Sequence, residues 1–157
     1  MSHAVRSRSA AVTLTMLTCA LVAPAGALAS KASIRRVIVQ ASPKIDVVEG
    51  HVLTVEGEYT NTKDPAPVEA AIDESVAVLG ALKHKVEAQS AAKPKIKSAK
   101  SKIVKGLESI IVGYGDLKRA FADKAADPTT ADTEATSALS AVKIGKKELN
   151  QGIALLK

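Results

Sequence analysis

The chain has 157 residues, a formal net charge of +6 and one cysteine. That length fits a single domain, and the lone Cys19 excludes an internal disulfide framework, a Cys-rich structural zinc site and covalent c-type haem attachment. Apolar residues make up 46% but aromatics only 2% (Tyr59, Tyr114 and Phe121, with no Trp), a balance that suits helices packed on helices better than a β-sandwich.

Residues 1–29 read as a signal peptide. Arg6 and Arg8 form a short basic region, residues 10–29 carry no charge, and Pro24 and Gly26 end any helix there. Ala27 and Ala29 supply small residues at the two positions a signal peptidase reads, so cleavage is expected before Ser30. An uncleaved membrane anchor is the main rival, because residues 10–29 barely reach spanning length; Pro24 and the small residues oppose it. Lipidation at Cys19 is a lesser rival, since Thr18 is large for the position before an acylated cysteine. On the leading reading the protein is exported, whether secreted, periplasmic or held at the cell envelope, and its mature part has no Cys. The signal takes two of the 22 basic residues and none of the 16 acids, leaving +4 on residues 30–157.

The mature chain shows helical periodicity throughout and no sustained alternation. A first helix is expected over about residues 32–60, where Ile34, Ile38, Ala41, Ile45, Val48, Val52, Val55 and Tyr59 recur at spacings of three and four. Pro43 predicts a kink or break near Ser42, because it removes a backbone donor and clashes with the previous turn. Asp64 can cap a second helix over residues 66–91, with Pro65 or Pro67 in its first turn and Val68, Ile72, Val76, Leu79, Leu82 and Val86 on its apolar face. Pro94 opens a third helix over residues 94–125, with Ile96, Ile103, Leu107, Ile110, Tyr114, Leu117 and Phe121 on one side. Thr129 or Thr130 is expected to cap a fourth over residues 130–157, carrying Ala135, Leu139, Val142, Leu149, Ile153 and Leu156. Four segments of roughly 40 Å joined by short links predict an all-α, antiparallel, up-down-up-down four-helix bundle. The near-3.5 seam, as in coiled coils, favours crossing near 20°. A three-helix array with the first segment splayed at Pro43 is the structural alternative.

Glycine costs about 1 kcal/mol in a helix relative to Ala, yet this chain keeps several at heptad spacing. Ala99, Gly106, Gly113 and Ala120 lie seven apart, as do Ala131, Ala138, Gly145 and Gly152. Gly106, Gly113, Gly145 and Gly152 therefore mark either close packing of the third and fourth helices or a groove for a small apolar ligand between them. Close packing is the favoured reading, since interiors seldom leave voids. Gly50 and Gly57 are also seven apart but fall opposite the first helix's seam, facing water.

Antiparallel folding would separate charge along the bundle. One end would collect residues 30–44, 79–108 and 142–157, with sixteen basic and three acidic residues, a net of +13. The other half would carry −9. The densest part is the run at 93–105, where Lys93, Lys95, Lys97, Lys100, Lys102 and Lys105 form a candidate anion-binding surface. Its expected partner is an acidic phospholipid, an anionic cell-wall polymer or an acidic protein. Head-to-tail self-association is a second use of the same polarity, and a merely solvated face is the plain alternative. Nucleic acid is not expected, because the run has no interleaved aromatics and little Arg.

No catalytic pattern accompanies these features. His51 and His84 read as surface residues, and Glu49 stands two residues from His51 rather than the three a di-iron bundle needs. No Gly-rich phosphate loop, nucleophile elbow or His-Glu-x-x-His occurs. The sequence therefore points to an exported, cofactor-free, non-enzymatic interaction or structural module docking through its lysine-rich end. A carrier or sensor of a small apolar ligand is the alternative.

Overall fold

The computed structural model describes residues 31–157. The expected signal segment, its expected cleavage point and Cys19 lie outside the described residues. Four helices follow in order: α1 (Lys31–Thr62), α2 (Ala66–Glu87), α3 (Pro94–Asp123) and α4 (Pro128–Ala154). Among the described residues all regular structure is helical, and no helix is long and apolar enough to cross a membrane.

Consecutive helices pack on one another, and their cross-helix pairs run in antiparallel register. Ser75 of α2 reaches the Val48 carbonyl of α1, and His51 reaches Glu74. Lys83 pairs with Glu108 while Asp73 pairs with Lys118, so α2 descends as α3 rises. Lys102 meets Gln151 and Lys124 meets Asp132, which reverses α4 against α3. The arrangement is consistent with an up-down bundle. The α1–α4 side is the loosest: Glu49–Lys146 bridges it at 3.0 Å, and a cleft of about 210 Å³ lies between the two helices, floored by Leu79, Leu82 and Ile110.

Local chemistry corrects several expected boundaries. α1 is not broken at Pro43; the helix runs through it, and the residue sits on the exposed side. α1 ends at a left-handed residue, Lys63 (φ 57°), whose N–H donates to the Tyr59 carbonyl. Asp64 accepts from the Ala66 N–H at 3.0 Å and so organises the turn into α2, with Pro65 at the N-cap. α2 stops at Glu87, short of residue 91, leaving 88–93 as a connection. Neither Thr129 nor Thr130 caps α4. Asp127 does, accepting from the Thr130 N–H (3.1 Å) and hydroxyl (2.7 Å), with Pro128 as the first helical residue.

The core is built by Ile34, Val52 and Tyr59 of α1, Ile72 and Leu79 of α2, and Ile103, Leu107, Ile110 and Leu117 of α3. α4 contributes differently. Apart from Val142, its buried positions within the helix are Ala131, Ala138, Gly145 and Gly152. This small-residue side faces α3, and the rotation it imposes leaves Leu139, expected on the seam, 48% exposed. Ser75 is the one buried polar side chain of the described core. Its hydroxyl donates to the Ala71 carbonyl at 2.9 Å and lies 3.4 Å from that of Val48, so no donor is stranded.

Candidate functional site

Three contacts bring four helix termini to one end of the molecule. The Lys31 ammonium, at the start of α1, donates to the Lys157 carbonyl beyond α4. Lys100, in the second turn of α3, donates to the carbonyls of Glu87 (2.6 Å) and Gln89 (2.7 Å), at the end of α2. Lys102 reaches Gln151 of α4 at 3.1 Å. The starts of α1 and α3 thus share an end with the finishes of α2 and α4, and the cations of all four segments gather there.

These contacts divide the six lysines singled out by sequence. Lys93, Lys95, Lys97 and Lys105 are exposed and make no ion pair within the described chain. Lys100 is half-buried and committed to structure: its ammonium satisfies carbonyls that the end of α2 leaves open, in place of a C-terminal glycine. Lys102 is half-buried against α4. A shallow depression between α2 and α3 is edged by Lys97, Lys100, Ser101 and Lys105, with Glu87 and Glu108 also lining it. Those carboxylates are already engaged by Lys83, at 3.5 and 2.9 Å. The hydrogen bond to Glu108 holds the Lys83 ammonium above its ordinary pKa, and the charges of Glu108 and Glu87 add to it. Of the three acids at this end two therefore share one ammonium, while Arg35, Arg36, Lys85, Lys143 and Lys147 line the same half of the molecule.

Helix dipoles reinforce this field. The first turn of α3 carries no acidic residue, so its positive helix end is overlaid with Lys93, Lys95 and Lys97 rather than offset. At the opposite end the starts of α2 and α4 are supplied with acids in the usual way, Asp64 and Glu69 for the one and Asp127 for the other. There the hydroxyl and N–H of Thr130 hold the Asp127 carboxyl below its usual range. Tyr59 packs edge-on against Phe121 with ring centroids 4.9 Å apart, and the Lys63 and Lys124 ammonium groups each lie 5.8 Å from the Tyr59 ring.

The four glycines lie where α3 and α4 touch backbone to backbone. A methyl on Gly106 would fall 2.5 Å from the Leu149 nitrogen and 2.7 Å from the Gly145 oxygen. On Gly145 it would meet the Gly106 oxygen at 2.7 Å, and on Gly152 the Ala99 oxygen at 2.9 Å. On Gly113 it would meet Val142 Cγ2 at 2.7 Å and the Ala138 oxygen at 2.9 Å. The place beside each of these glycines is filled by the facing helix. By contrast, Gly50, Gly57, Gly80 and Gly115 face open space.

The histidines stand apart from one another. His51 is 3.4 Å from Glu74 on the α1–α2 face, and His84 is 3.4 Å from Glu87 on α2; both rings are exposed. Among the described residues no cluster of His, Cys, Asp and Glu is arranged to hold a metal ion. Compared with known proteins, the chain matches no family model, no curated protein and no solved structure.

Proposed function

We propose that this is an exported, non-enzymatic protein, an antiparallel up-down-up-down four-helix bundle that docks on an anionic partner of the cell envelope or extracellular space through its lysine-rich end. The observation that carries the reading is the overlay of exposed cations on the positive terminus of α3. Lys93, Lys95 and Lys97 disfavour the start of the helix they sit on. No ion pair within the described chain engages them. A field built against the fold's own interest is supported when an outside anion completes it. Acidic lipid headgroups and anionic wall polymers both offer the needed density of negative charge.

The test is binding to vesicles of anionic lipid, to zwitterionic vesicles and to a soluble anionic wall polymer, each across a salt series. The reading predicts binding to an anionic probe alone, weakening steeply with salt. Replacing Lys93, Lys95, Lys97 and Lys105 together with Gln should remove most of it without loss of helix, because these ammonium groups make no ion pair within the described chain. Salt-insensitive binding, or no binding to any anionic probe, contradicts the reading.

A further inference from the structure

The outer face of α1 has the makings of a helix–helix contact and, among the described residues, no helix against it. Val39, Pro43, Val47, Gly50, Leu53 and Gly57 follow one another at spacings of three and four, so they form one stripe, and every one is exposed. Val39, Val47 and Leu53 are 67%, 69% and 69% exposed. Between Val39 and Gly57, Asp46 alone adds charge to the stripe. For a water-facing side this is an unusual set: β-branched residues, a proline and two glycines all disfavour the helix they occupy, and none of the six is buried by the described residues.

The molecule itself shows what such a set accommodates. Where α3 and α4 run antiparallel, Gly106 faces Gly145, Gly113 faces Ala138 and Gly152 faces Ala99, so small residues seven apart on one helix meet small residues seven apart on the other and the backbones come into contact. Gly50 and Gly57 repeat that spacing on α1 and meet nothing within 4 Å. The charge pattern of α1 selects the occupant. Its first half carries Arg35 and Arg36, its second Glu56 and Glu58. Arg35, Arg36, Asp46 and Glu58 make no ion pair within the described chain. A helix that reverses its own sign along its length is complementary to an antiparallel copy of itself.

We propose that a second copy of the chain docks on this face, the two α1 helices crossing antiparallel about a two-fold axis near Val47 and Val48. Such a contact is isologous. It sets Val39 of each copy over Gly57 of the other and Val47 beside Gly50, and brings Arg35 and Arg36 toward the other copy's Glu58. The proposal rests on α1 alone and is independent of docking through the lysine-rich end: the dimer engages Arg35 and Arg36 but leaves Lys93, Lys95, Lys97 and Lys105 open at both extremities.

Sedimentation velocity over a concentration series tests it on the purified protein. A monomer–dimer equilibrium is expected, weakened by salt. Gly50→Leu with Gly57→Leu should raise the dissociation constant roughly tenfold or more, with helix content intact because the new side chains enter open space. Val47→Lys with Leu53→Lys should do the same by a different route. In a Cys19→Ser background, Val39→Cys combined with Gly57→Cys should form an intermolecular disulfide, and Val39→Cys alone should not. A monomer at every concentration, a dimer indifferent to both double variants, or an intermolecular disulfide formed by Val39→Cys alone would overturn the proposal.

Discussion

At the scale of single residues, two glycines two positions apart on α3 have opposite roles. A Cβ on Gly113 would strike Val142 and the Ala138 carbonyl of α4, and the backbone behind them cannot yield. Gly113→Ala is expected to destabilise by about 1–3 kcal/mol, the cost of overpacking. Gly115 faces open space, so Gly115→Ala should stabilise by about 0.5–1 kcal/mol through helix propensity alone. Denaturant titration of the two variants reads both, and equal signs would refute the packing account. Tyr114 offers a second handle. Burial pushes its phenol up to about 12, and the nearby Glu49 and Glu56 carboxylates add to the effect. The unfolded chain loses this proton near the ordinary value of about 10 while the folded chain keeps it, so stability falls as pH rises between those two values. Tyr114→Phe should flatten that alkaline loss. An unchanged slope would mean the hydroxyl is solvated.

At the scale of the elements, the helices are legible because apolar residues recur at three and four along each, with Pro94 and Pro128 punctuating the links. The departures share one cause: each depends on a neighbour. Composition alone offers Thr129 or Thr130 as the cap of α4, but the Asp-Pro pair is the stronger local signal, with the carboxylate accepting and the ring presetting the first helical residue. Asp127→Ala should lower the melting temperature at neutral pH. Because the carboxyl titrates below its usual range in the folded chain, its contribution is present above the unfolded value and lost as pH falls through the folded one. The difference between variant and parent should therefore vanish in acid, and a pH-independent difference would rule out the cap. Spacing puts Leu139 on the seam, yet the close approach along Ala131, Ala138, Gly145 and Gly152 turns α4 so that backbone, not bulk, meets α3. The lysine run is plain in the sequence. That Lys100 and Lys102 are occupied is not, since their acceptors are the end of α2 and Gln151, distant in sequence.

At the scale of the whole molecule, a modest net charge hides strong polarity. Short links make the helices alternate, and alternation gathers lysines from four separated segments at one end. The same topology sets the positive terminus of α3 there, so side chains and backbone act with one sign. Near Gly106 and Gly152 the α3 and α4 backbones touch at this end, and Lys93, Lys95, Lys97 and Lys105 stay exposed on it. The most direct measurement is backbone amide chemical-shift mapping as a short polyanion is titrated into the isotope-labelled protein at low salt. The account predicts perturbations confined to the start of α1, the 88–105 region and the last turns of α4, reversed by added salt. Shifts centred on the acidic end, or spread evenly over the surface, would contradict it.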